Sequence, residues 1–214
     1  MPQFDENHVK LSGGIVVWDG VTRPEVQQQG RNAGKPKWSL KCVFPPSCAD
    51  LGLFDALAQK QLQQSEFRGV LPAGGRMPIA PVGPNEFNGM FPGWYCISFK
   101  TTIRAPDVYD EAGQLLDPMQ YGGLMYSGQR VDVLAHCYDY NQAGNRGVSA
   151  GLDAFQIIAS AQAQRLDIGT GGMDTASAFG GGAQPQPAQG YQPPAQPQPA
   201  QGYQPAQQYL PPQQ

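Results

Sequence analysis

The run RVDVLAHCYDY at residues 130–140 alternates without a break: Val131, Val133, Ala135 and Cys137 on one side, Arg130, Asp132, His136, Tyr138 and Tyr140 on the other. A period of two marks a β-strand with one face in a core and the other in water. Residues 141–147 then supply the Asn and Gly of a turn, and 148–158 read as a returning strand, so this stretch forms a hairpin.

Moving outward, WYCISFKTTI (94–103) alternates in the same way, with Tyr95, Ile97, Phe99, Thr101 and Ile103 on one face and Trp94, Ser98, Lys100, Thr102 and Arg104 on the other. Residues 37–44 set Trp38, Leu40, Cys42 and Phe44 against Lys37, Ser39, Lys41 and Val43. Trp38 and Phe99 are assigned to the core, Tyr138 and Tyr140 to the surface. Residues 9–18 (VKLSGGIVVW) are β-rich, and Gly13-Gly14 inside them marks a bulge or tight bend. Residues 50–67 carry a period near 3.6 through Leu53, Leu57 and their neighbours, with Asp50 as a candidate cap. Residues 69–93 form a long Pro/Gly-dense loop, of the kind that usually has a function. Residues 105–118 read as a short strand, a turn and a return. Five strands, one inserted helix and no βαβ alternation predict a mainly β, OB-fold-like five-stranded barrel.

Composition breaks near residue 168. From Gly169 to Gln214 the only charged residue is Asp174, and the segment is mostly Gln, Pro, Gly and Ala. Such a chain lacks the branched apolar surface that offsets its ordering entropy. The reading is one folded domain over residues 1–168 and a disordered tail over 169–214. Within the tail, AQPQPAQGYQPP (183–194) and AQPQPAQGYQPA (195–206) agree at 11 of 12 positions, and Tyr191, Tyr203 and Tyr209 are recurrent adhesive points. The formal charge is −3, which argues against a histone-like binder. Its distribution matters more, because phosphates feel charge within about 10 Å. Arg23, Arg31, Lys35, Lys37 and Lys41 face only Glu25 over residues 23–41, whereas six acidic residues face only Arg130 over 107–139.

Catalytic and metal chemistry find little support. His8 lies near the N-terminus, and His136 sits mid-strand beside no nucleophile. Cys42, Cys48, Cys96 and Cys137 form no CxxC pair, and with His136 their spacing fits no structural-zinc pattern. Three of them lie in apolar runs, where a free Cys behaves as a small hydrophobe. Neither a GxSxG elbow nor a GxxxxGK[ST] loop is present. Asp107, Asp110 and Glu111 crowd a turn, as solvated carboxylates do. The expectation is therefore no enzyme, no cofactor and no metal. No secretory leader or ~20-residue apolar span is visible, so a reduced, cytoplasmic protein is expected.

Basic residues interleaved with aromatic ones on strands are what a single-strand binder needs: flat platforms for bases and cations for the backbone. The candidates are Lys37 and Lys41 on one strand, Trp94, Lys100 and Arg104 on a second, and Arg130, Tyr138 and Tyr140 on a third, with Arg146 in the following turn.

The segments KPKWSLKCVFP (35–45), GWYCISFKTTIRAPDVYDEAG (93–113) and YSGQRVDVLAHCYDYNQAGNRGVSAGLDAFQII (126–158) occur in the order found in tailed-phage single-stranded DNA-binding proteins. Over about residues 9–166 the chain resembles that OB-fold group, which is distantly similar to the T7-type replication protein. The resemblance implies binding of single-stranded DNA without sequence preference during phage replication, recombination and repair. It carries Lys37, Lys41, Lys100, Arg104, Tyr138, Tyr140 and Arg146 over as surface residues, and implies a bacterial host cytoplasm and a possible homo-oligomer. One departure stands out. Such proteins commonly end in an acidic tail that recruits replication proteins, and this one ends LPPQQ. A Gln/Pro/Tyr tail would meet replication or recombination partners by other contacts. Two alternatives stay open: a structural virion or scaffold protein whose barrel binds protein, and a Mg²⁺-dependent nuclease using Asp107 or Asp110.

Overall fold

The computed structural model describes residues 5–28, 32–142, 144–158, 165–166 and 168. The expected tail and Arg31 lie outside the described residues. In chain order the elements are β1 (His8–Asp19), β2 (Glu25–Val26), β3 (Pro36–Phe44), α1 (Asp50–Gln64), β4 (Ile79–Pro81), β5 (Tyr95–Thr101), β6 (Asp107–Tyr109), α2 (Pro118–Tyr121), β7 (Arg130–Gln142) and β8 (Asn145–Ile158). A 3₁₀ turn occupies Glu86–Gly89.

Five of these strands close into a ring. β1 pairs antiparallel with both β3 and β7, β3 with β5, and β7 with β8. Parallel pairing of β5 with β8, through Phe99↔Ala150 and Lys100↔Gly151, completes the circle. The remaining short strands edge it: β2 on β3, β4 on β5 and β6 on β8. The protein is mainly β, an OB-fold-like barrel with α1 between its second and third ring strands.

The ring fills largely as the alternation predicts, although Tyr95 and Ile103, from the apolar phase of 94–103, are exposed and Val43, from the polar phase of β3, is buried outside the ring. Leu40, Cys42, Ile97, Phe99, Val131, Val133 and Ala135 are buried inside it, and Trp38 packs against the same cluster. α1 covers one opening with Leu51, Phe54, Ala58 and Leu62, and the Phe54 ring lies 6.2 Å from Phe99. Emptying that plug with Phe54→Ala costs about 3–5 kcal/mol. Burial pushes the Cys42 thiol up, that of Cys96 to about 11 and that of Cys137 to about 12. These cysteines act as apolar fill.

The bulge anticipated at Gly13-Gly14 interrupts the β1–β7 register between Leu11 and Gly14. It releases two amides from the ladder: Ser12 donates to Asp50 Oδ2 at 3.0 Å and Gly13 to Asp132 Oδ1 at 2.9 Å. Asp50 therefore does not cap α1. The N-cap is Ala49, without a side-chain bond, and the Asp50 carboxylate is buried against the bulge. β2, β4, the 3₁₀ turn and α2 were not anticipated. All are two to four residues long, too short to show a period.

A second, smaller cluster lies outside the ring. Val17, Val43, Cys96 and Phe91 are buried there beneath the 82–94 segment, with Phe87 and Trp94 packed against them. The long loop is thus built onto the barrel's outer face.

Candidate nucleic-acid interface

Strand pairing determines which side chains share the outer face. Across β3 and β5, Ser39 is opposite Lys100 and Lys41 is opposite Ser98, while Leu40 and Cys42 meet Phe99 and Ile97 inside. Across β7 and β8, Tyr138 is opposite Ser149 and Tyr140 opposite Gly147. A cleft of about 310 Å³ joins these two patches, and Lys41, Arg76, Ser98, Lys100, Tyr140 and Ser149 all line it.

Arg76 reaches the cleft because the long loop is fastened to the hairpin. Its amide donates to the Arg146 carbonyl at 3.1 Å, and its own carbonyl accepts from the Val148 amide at 2.9 Å. Gly147 makes this approach possible. A Cβ there would stand 2.1 Å from the Arg76 carbonyl oxygen, and its φ of +139° disfavours any other residue.

Charge is left uncompensated in this cleft. Among the described residues, Lys41, Arg76 and Lys100 have no carboxylate within 4 Å of their charged nitrogens. The Lys41 ammonium lies 4.9 Å above the Phe87 ring. Glu86 also lines the cleft, but its Oε2 accepts from the Gly83 amide at 2.8 Å. Partial desolvation, followed by the nearby charges of Lys37 and Arg76, pushes the Lys100 ammonium below its ordinary value. A site whose own cations raise one another's energy is relieved by an incoming anion.

Beside it, Trp18 pairs with Lys41 across β1 and β3 and is 62% exposed. A bulge between Val16 and Trp18 puts both Val17 and Trp18 outside, Val17 under the loop and Trp18 in water. Trp18 and Arg76 escaped the sequence reading. Trp18 ends an apolar run that looks like core, and Arg76 is a single cation within a 25-residue loop.

The other anticipated residues are placed differently. Lys37 is held by Glu25 at 2.5 Å. Arg104 makes a two-pronged pair with Asp107 at 2.8 and 3.1 Å. Trp94 packs against Phe91 at 5.2 Å in the outer cluster. Arg130 begins β7 opposite Ile15 and Ile158, ten positions from Tyr140, or about 33 Å along the strand. Arg146 is exposed in the hairpin next to the Arg76 clamp. Tyr138 is half-buried, its ring 6.1 Å from His136. The turn acids serve locally: besides the Arg104 pair, Asp110 Oδ1 accepts from the Gln114 amide at 2.8 Å.

Solved structures share this architecture. The single-stranded DNA-binding protein of bacteriophage Enc34, in complex with single-stranded DNA, superposes with a TM-score of 0.60 at 18% identity, covering 73% of this chain and 88% of that one. The same phage protein without DNA gives 0.58 at 18% identity, over 82% and 91% of the two chains. Gp2.5, the single-stranded DNA-binding protein of bacteriophage T7, matches at 14% identity with a TM-score of 0.47, over 72% and 92%. No family model and no curated protein matches the sequence. The fold is therefore one also found in phage single-strand binders.

Proposed function

We propose that this chain binds single-stranded DNA without sequence preference in the cleft between β3–β5 and the β7–β8 hairpin, and shields it during phage DNA replication, recombination and repair. The observation that carries this reading is the convergence of Lys41, Arg76 and Lys100, without ion-pair partners among the described residues, beside the rings of Tyr140 and Trp18. Cations spaced along a groove follow the phosphates, and each stacked base adds roughly 1–3 kcal/mol whatever its identity. The Enc34 complex supports the reading, because a protein of this architecture is there in complex with single-stranded DNA. The protein acts by binding rather than by chemistry, in the cytoplasm of the infected cell.

Fluorescence anisotropy with labelled oligo-dT and a duplex of equal length, at low and moderate salt, tests the proposal. Binding to oligo-dT that exceeds duplex binding and weakens with salt is expected. Equal affinity for both, or none for either, overturns it and moves the structural virion or scaffold reading forward.

A further inference from the structure

A second cleft, of about 260 Å³, opens on the outer face of the same hairpin, lined by His8, Lys60, Gln61, His136 and Asp153 among others. Three features aim side chains into it. His8 and His136 are direct partners across β1 and β7. His136 lies opposite Gly151 on β8, where any Cβ would stand 2.2 Å from its ring, so the glycine clears the space the imidazole occupies. Asp153 is the extra residue of a β8 bulge, since Ala135 pairs with Leu152 and Leu134 with Ala154. A bulge of this kind re-aims a side chain, and here it delivers a carboxylate to the imidazoles.

The hydrogen bonds leave an unresolved contact. His8 Nδ1 lies 2.8 Å from both Asp5 oxygens, so it carries the proton and donates it there. When His8 is neutral, Nε2 is then a bare acceptor, and it faces Asp153 Oδ2 at 3.7 Å. Two acceptors placed this way are drawn together by a proton on Nε2 or by a bound cation. Asp153 Oδ2 also lies 2.7 Å from His136 Nδ1. One ligand atom from each of His8, His136 and Asp153 falls within 4.8 Å of the other two.

We infer that His8, His136 and Asp153 form a binding site for a divalent transition-metal ion of the zinc class. Two imidazoles and one carboxylate suit zinc and its neighbours better than Mg²⁺ or Ca²⁺, which prefer oxygen ligands. A tetrahedral ion with bonds of about 2.0–2.2 Å sets its ligands about 3.3–3.6 Å apart. Reaching that geometry means widening the His136–Asp153 contact and drawing in the longest separation. The Asp5 carboxylate on His8 Nδ1 is the outer partner that metal-bound imidazoles commonly have, orienting the ring and raising its basicity. With three protein ligands, the fourth position opens into the cleft. The bound ion ties the start of β1 to β8 and fixes the imidazole beside Tyr138.

The test is calorimetric titration of the chelator-treated full chain with ZnCl₂, with MgCl₂ as comparator. One zinc per chain is expected, with no Mg²⁺ binding. Zinc should also raise the melting temperature, as a ligand of the folded state must. Asp5→Asn should weaken zinc binding about 10–100-fold, and His8→Gln and Asp153→Asn by at least about 100-fold. Cys48→Ser should leave it unchanged, which excludes thiol binding. His8→Gln lies at the first residue of β1, and its oligo-dT affinity reports independently that the barrel is intact. Absence of zinc binding, or binding that survives His8→Gln in a folded protein, overturns the inference without touching the single-strand reading.

Discussion

The hairpin of β7 and β8 carries two clefts of similar size on one face, and they differ in how charge is balanced. In the cleft towards β5, Lys41, Arg76 and Lys100 have no ion-pair partner among the described residues. In the cleft towards α1, carboxylates sit against basic groups: Asp153 beside His136, Asp5 beside His8, and Glu6 beside Lys60 at 3.5 Å. The same scaffold thus presents one surface whose lining cations outnumber its carboxylate, Glu86, and another whose carboxylates already face basic groups. An extended polyanion gains most from the first, because no ion pair to its lysines or Arg76 among the described residues has to be broken. The second suits a small cation.

Breaking the first cleft gives the largest expected effect. The triple variant Lys41→Ala, Arg76→Ala, Lys100→Ala should lower oligo-dT affinity at least about 100-fold and flatten the slope of log K against log salt by about 2 units, near 0.7 per lost phosphate contact on a single strand. The same three changes should leave the zinc titration unaltered. Salt-dependent anisotropy and calorimetry on one preparation measure both, and an unchanged salt slope would place the DNA elsewhere.

Removing the platforms comes next. Trp18→Ala and Tyr140→Ala should each weaken binding by roughly 1–3 kcal/mol at any salt concentration, because stacking does not depend on counterions. Tyr138→Ala should cost less, since its ring is half-buried beside His136. Anisotropy at two salt concentrations separates this offset from a change of slope.

These variants divide along the line between what the sequence showed and what it did not. The hairpin, the ring strands and the core alternation were legible because long strands with one wet face write a period of two into the chain, as Val131, Val133, Ala135 and Cys137 do. Lys41, Lys100 and Tyr140 were legible for the same reason, being the polar phase of buried strands. Partnership between distant residues was not. Lys37 and Lys41 look alike on β3, yet β2, two residues long, brings Glu25 onto Lys37 and nothing onto Lys41. The Arg76 clamp depends on Gly147, seventy-one positions away, and Asp153 reaches His136 through a bulge that no pattern announces.

Gly147→Ala attacks the clamp. A Cβ at 2.1 Å from the Arg76 carbonyl, added to an unfavourable φ, should cost about 1–3 kcal/mol of stability. Oligo-dT affinity should fall towards that of Arg76→Ala, because the loop that delivers Arg76 is pushed away. Denaturant titration beside anisotropy checks both, and full affinity would mean that Arg76 reaches the cleft without the clamp.

The smallest effect has the opposite sign, and it tests whether pairing, rather than position, separates the useful cations from the others. Lys37→Ala and Arg104→Ala should change oligo-dT affinity by less than about threefold, since exposed ion pairs already spend those charges and are themselves worth little. Glu25→Gln then becomes informative. The Lys37 hydrogen bond and charge hold the Glu25 carboxyl below its ordinary value, so the pair persists as pH falls until that lowered value is crossed. Glu25→Gln frees the Lys37 ammonium on the same outer face as Lys41, and its charge already acts on Lys100. Affinity should rise about two- to threefold, and the salt slope should steepen by up to about 0.7. In the Lys37→Ala background the same substitution should do nothing. A gain that persists there would show that removing a negative charge anywhere on this face is enough, and the distinction between paired and unpaired cations would fail.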